Sequence, residues 1–253
     1  VNKFAKSVWL GLILNIVFLA IAWFIATSLP YGRLDHSMRD LVEMMSILVI
    51  PLGIAVVIQI ISLILLFKLP KFGLVLASIS SLIMLPISML FFIGYSFSYE
   101  KQVNSALTPF NQNDRNKLVN ELNFKTSSFL VRGIVLVVIG VIFSLILPSK
   151  APGFLLISVG ILLLYQAVRL KNRIMMGLLH DNDNLVITLT QFSDTYLVPL
   201  CDVTLIKENK QIVKLHIKSA GIDRKCTLAK GWIEEENYQV ALDDILTKLV
   251  KQP

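Results

Sequence analysis

Charge is what this chain has least of. Asp, Glu, Lys and Arg make up 16% of its 253 residues, apolar side chains make up 55%, and the mean hydropathy is +0.70. Soluble domains average about 25% charged residues, so a soluble globular composition is excluded. Cysteine is nearly missing as well. Cys201 and Cys226 are the two present, without metal-ligand spacing, which excludes a disulfide framework. The three histidines, His36, His180 and His216, stand on separate segments and lack the paired spacing of a zinc site. Also missing are a phosphate-cradling glycine loop, an HExxH helix and a nucleophile elbow. The expectation is a non-catalytic chain without cofactor or metal.

The charge that is present is uneven. Residues 1–170 hold thirteen Lys/Arg against six Asp/Glu, whereas residues 171–253 hold eleven of each. The basic excess therefore flanks the apolar segments, where it sets membrane orientation. It gives no support to nucleic-acid binding, and no RNA- or DNA-reading motif is present.

A bilayer core takes about 20 apolar residues in a helix. Five stretches qualify: 8–29, 44–67, 72–97, 129–147 and 153–169. The expected architecture is a five-span α-helical membrane protein with a C-terminal α+β domain. The first stretch has no small-residue cleavage site after it, so an uncleaved anchor is expected. Pro51 and Pro86 lie inside the second and third stretches and should kink them. Gly133 and Gly140 are seven residues apart, as are Gly153 and Gly160. Seven residues are nearly two helical turns, so each pair lines one face and lets a neighbouring backbone approach. A tight hairpin of the fourth and fifth helices is predicted.

With five crossings and the tail inside, ten Lys/Arg lie on the inner flanks. Five lie on the outer flanks: Lys3, Lys6, Lys68, Lys71 and Lys150. Positive residues favour the cytoplasmic side, which predicts a cytoplasmic tail and an external N-terminus. The polar connection 98–128 contains Leu118, Val119, Leu122 and Phe124 at helical spacing, with Asn113 or Asp114 as cap. A short helix on the membrane surface is predicted there.

The tail differs in pattern. "NLVITLT" and "KQIVKLHIK" alternate with period two, as half-buried strands do. In the second, Lys214, His216 and Lys218 face outward, and with Arg224 and Lys225 they form a candidate stripe for anionic headgroups; the tail's zero net charge favours the other reading, a plain solvated face. Tyr238, Leu242, Ile245 and Leu249 make one stripe of a C-terminal amphipathic helix. A hairpin leading into "NRIMMGLLHDNDNLVIT", then "YLVPLCDVTLI", a basic strand and "LAKGWIEEENYQVALDDILTKL", resembles the bacterial pleckstrin-homology-like (PH-like) membrane proteins. Val198, Pro199, Leu200, Cys201, Asp202 and Val203 match that family's strand-end motif, with Leu200 at the usual tryptophan. The resemblance covers residues 129–253 and leaves the three helices within 1–128 unmatched; it implies a hairpin at 129–170 feeding a cytoplasmic PH-like domain over 171–253, in a bacterial inner membrane.

Other polar groups have two readings each. Asp35, His36, Arg39, Asp40 and Glu43 are spaced as helical ion pairs, either a gate or a solvated helix start. Asn15 and Gln59 sit inside apolar runs, as interhelical hydrogen-bond partners or as pathway groups. Ser78, Ser80, Ser81 and Ser88 either bond back to their own helix or line a conduit. Cys226 beside Arg224 and Lys225 is either a reactive thiolate or a small strand residue. Three functions follow. The first is a non-catalytic membrane protein presenting its domain to lipid or protein, as a homo-oligomer or with another membrane protein. The alternative is a small transporter or channel built from the first three helices. The third is a membrane enzyme acting on lipid through the 35–43 cluster.

Overall fold

The structure is a computed structural model and describes residues 4–28, 36–147, 149, 151–180, 183–235 and 238–250. The chain divides into two compact units, Val1–Gln102 and Val103–Pro253.

The first unit contains α1 (Lys6–Ser28), α2 (His36–Lys68), α3 (Pro70–Ile83) and α4 (Met89–Val103). At 1.5 Å per residue, α1 and α2 are each longer than a bilayer core of about 30 Å, whereas α3 and α4 reach only about 21 and 22 Å. The third apolar stretch is thus two short helices in place of one. Pro86 lies in the break at 84–88, and it has no N–H for a continuous helix. Gly11 and Gly94 let α1 and α4 touch at the backbone: a methyl group on Gly11 would lie 2.3 Å from Phe91 N, and one on Gly94 would lie 2.3 Å from Val8 N. Pro51, by contrast, lies within an unbroken α2.

The second unit contains β1 (Thr108–Pro109), β2 (Leu118–Asn123), α5 (Thr126–Ile146), α6 (Ala151–Leu170), β3 (Ile174–Leu179), β4 (Asn184–Thr188), β5 (Thr195–Pro199), β6 (Val203–Glu208), β7 (Ile212–Ser219), β8 (Ile222–Ala229) and α7 (Tyr238–Val250). Helices α5 and α6, like α1 and α2, are long and apolar enough to cross a membrane, which makes four such helices among the described residues where the sequence predicts five. One antiparallel sheet has the order β1-β5-β4-β3-β2, and a second has the order β6-β7-β8. Helix α7 packs on β2 and β6, the edge strands of the two sheets, and buries Leu242, Ile245 and Leu249 in the core between them.

The surface helix expected around 113–124 is a correction. Gln112–Lys117 form a 3-10 turn capped by Asn111, and Leu118–Asn123 form β2, paired with β3. Irregular register between Val119 and Leu122 inserts one extra residue, with Asn120 at φ 57°. That insertion turns a strand's alternation into the spacing of a helix. The expected division after residue 128 therefore differs from the fold, in which residues 103–125 belong with the tail. The hairpin α5–α6 is inserted between two paired strands, so its ends leave and re-enter one sheet.

The root of that hairpin is fastened from several directions. Lys125 N donates to Trp232 O, Phe124 N donates to Arg173 O, and the Phe129 and Trp232 rings stand 5.6 Å apart. Along the hairpin the four glycines meet as pairs. A methyl group on Gly140 would lie 2.7 Å from Gly153 O, and one on Gly160 would lie 2.9 Å from Gly133 O.

Candidate functional site: a lysine face on the second sheet

The sheet β6-β7-β8 has one face in the domain core and one outside. Strand β7 alternates strictly: Val213, Leu215 and Ile217 are buried, and Lys214, His216 and Lys218 point the other way. Antiparallel pairing sets the neighbours. His216 lies between Thr204 and Lys225, Lys214 between Lys207 and Thr227, and Lys218 opposite Asp223. Four lysines thus share this face with one histidine and one carboxylate. Asp223 Oδ1 is 2.6 Å from His216 Nε2, a contact that holds the Asp223 carboxyl below its ordinary value. None of the four lysines has an ion-pair partner within 4 Å among the described residues.

Arg224 is a correction to the predicted stripe. It pairs with Ile217, a core residue, and so projects on the opposite side from Lys225; its Nη1 donates to Asn104 Oδ1 at 3.0 Å. Lys207 takes its place. Two residues after the inward Leu205, plain alternation would turn Lys207 inward too. A register irregularity between Leu205 and Lys207 sets it beside Lys214 instead. No periodicity in "TLIKENK" signals that. Like charges directly opposite on a sheet destabilise it, so the Lys207–Lys214 pair is unfavourable until an anion lies over it.

A second polar cluster stands at the hairpin root. Arg115 donates through Nε and Nη2 to the Glu121 carboxylate, through Nη2 to Asn123 Oδ1 and through Nη1 to Asn172 O. The Glu121 hydrogen bonds raise the Arg115 guanidinium above its ordinary value. Asn123 donates from its backbone N and Nδ2 to Glu235 Oε1, both at 3.0 Å. Every charge here is used within the domain, tying β2 to the turn after α6 and to the approach to α7. This cluster positions the hairpin.

The remaining predicted residues fall as follows. Asp35 lies outside the described residues, as does the His36 side chain; Arg39, Asp40 and Glu43 are exposed on the first turns of α2. Asn15 and Gln59 meet in the interior of the first unit: Asn15 Nδ2 donates to Gln59 Oε1 at 2.8 Å, and Gln59 Nε2 is 3.8 Å from Met84 Sδ. Asn15 Oδ1 is buried and has no hydrogen-bond partner among the described residues. Ser78 and Ser80 bond back to their own helix, and Ser88 Oγ donates to Ser81 O across the break. Cys226 is buried, its thiol donating to Leu189 O at 3.0 Å, which favours the small strand residue. No cluster of three or more His, Cys, Asp or Glu suited to a metal occurs among the described residues.

Comparison of the chain with family models, with curated proteins and with solved structures finds no match in any of the three.

Proposed function

We propose that this chain is a non-catalytic integral membrane protein whose domain over 103–253 is PH-like and applies its lysine face to the anionic headgroups of the membrane that its own hairpin crosses. Two antiparallel sheets closed by a C-terminal helix support the PH-like reading. The observation that carries the lipid reading is Lys207 opposite Lys214, with Lys218 and Lys225 on the same face. Each basic side chain near an anionic leaflet contributes about 1 kcal/mol. The hairpin already tethers the domain, so that energy serves to orient it against the surface. The domain is assigned to the cytoplasm of a bacterium, where the positive flanks favour it.

The test uses the whole protein in nanodiscs of neutral lipid, with and without an anionic lipid. Amide exchange over 212–229 should slow when anionic lipid is present and recover at high salt, because surface charges are screened within about 10 Å at 0.1 M. Lys214→Glu/Lys225→Glu should abolish the slowing, since reversing two lysines removes at least about 2 kcal/mol, or roughly 30-fold in the docked population. Exchange that ignores both lipid charge and this variant rejects the reading.

One observation favours the transporter or channel as a second reading: the buried Asn15–Gln59 pair keeps a carbonyl oxygen to spare. Solute or ion flux through reconstituted vesicles, lost in Asn15→Leu, is its expected signature. Vesicles without flux remove it.

A further inference from the structure

We propose that α3 and α4 are the two arms of a re-entrant hairpin that enters and leaves the membrane on one side, so that the chain crosses four times and the start of α1 shares its side with the sheet domain. The inference is independent of the lysine face. It rests on residue pairs within the first unit.

The end of α2 turns directly into α3. A methyl group on Gly73, near the start of α3, would lie 3.0 Å from Ser62 O and 2.5 Å from Tyr95 Oη. Tyr95 Oη itself donates to Ser62 O at 2.9 Å. Residues 73 and 95 are 22 apart and would stand about 33 Å apart in one straight helix. Here they lie side by side at the level of Ser62, so α4 has come back to where α3 began.

The partners along α1 follow the same order. Phe91 meets Gly11, Gly94 meets Val8, and Ser98 Oγ accepts from Ala5 N at 2.9 Å. Each step forward along α4 is a step back along α1, and Ser98 stands beside the residue that precedes α1. At the far end Met84 reaches Gln59 and packs with Ala22, Leu52 and Val56, which are well inside α1 and α2. The hairpin tip is therefore at mid-depth. Irregular backbone is tolerated there only when shielded by protein and internally bonded. Met84 and Ser88 are fully buried. Ser88 N donates to Met84 O, Met89 N donates to Pro86 O, and Ser88 Oγ donates to Ser81 O.

The positive charges agree independently. In the five-span arrangement ten flanking Lys/Arg face five. Folding α3–α4 back moves Lys3, Lys6, Lys68 and Lys71 to the side of the sheet domain and Arg33 and Arg39 to the other. The ratio becomes twelve to three, a far stronger bias of the kind that orients membrane proteins. The two lysine groups that opposed the five-span orientation now support a cytoplasmic sheet domain.

The experiment is side-specific labelling of the full chain in cells, with Cys201→Ser as background and a membrane-impermeant maleimide applied before and after permeabilisation. Lys6, Arg39 and Lys101 are all exposed, so each tolerates replacement by cysteine. Lys6→Cys and Lys101→Cys should both react only after permeabilisation, and Arg39→Cys in intact cells. A protease-cleavable tag placed ahead of residue 4 gives a second reading and should be protected in intact cells. Lys6→Cys and Lys101→Cys reacting from opposite sides, or a tag cleaved in intact cells, overturns the hairpin.

Discussion

Gly11→Val and Gly94→Val should each strip the first unit of its packing, while Gly53→Ala should leave it intact or firmer. At Gly11 and Gly94 the first added carbon would lie 2.3 Å from a backbone nitrogen of the facing helix. Backbone has no rotamer to yield with, so the helices must part along the whole contact. Overpacking alone costs about 1–3 kcal/mol. Separation also releases Val8, Phe91 and Tyr95 from a shared cluster and breaks the Ala5–Ser98 hydrogen bond, so about 3 kcal/mol or more is expected. Gly53 has nothing within 4 Å of an added carbon. There the alanine gains about 0.5–1 kcal/mol of helix preference over glycine. Thermal unfolding in detergent checks all three. Equal losses at Gly11 and Gly53 would contradict the close α1–α4 contact.

Leu122→Ala is expected to cost the sheet domain about 2–5 kcal/mol, the range for a fully buried leucine whose cavity does not collapse. Leu122 lies opposite Met176 and is 1% exposed. On a surface helix between membrane segments the same change would stay within about 0.5 kcal/mol. Denaturant titration of the full protein, followed through the Trp232 environment, separates the two. A loss below about 0.5 kcal/mol would remove β2 from the core.

The two substitutions probe different kinds of legibility. Hydropathy alone marked both arms of α5–α6, because an apolar run of bilayer length needs no partner to be recognised. Its glycine pairs were equally readable, since residues seven apart share a helical face. The stripe of α7 was visible for the same reason, as was the alternation of β7. Each of these is a local period written in consecutive residues.

What stayed hidden depends on contacts distant in the chain. Strand β2 carries an extra residue at a bulge, which erased its period of two, and only pairing with β3 across the inserted hairpin at 126–170 reveals it as a strand. Lys207 joined the lysine face, and Arg224 left it, through register that no single strand encodes. The stretch 72–97 reads as one span because hydropathy measures how greasy a segment is, and a chain that turns back at mid-depth is as greasy as one that continues. Its direction rests on Gly11, Gly73 and Gly94 meeting their partners, and on Met84 lying against Gln59. Periodicity and hydropathy are sums over neighbours along the chain, and they name the pieces. Register and crossing direction are properties of pairs of pieces, settled by which backbones come close enough to exclude a side chain.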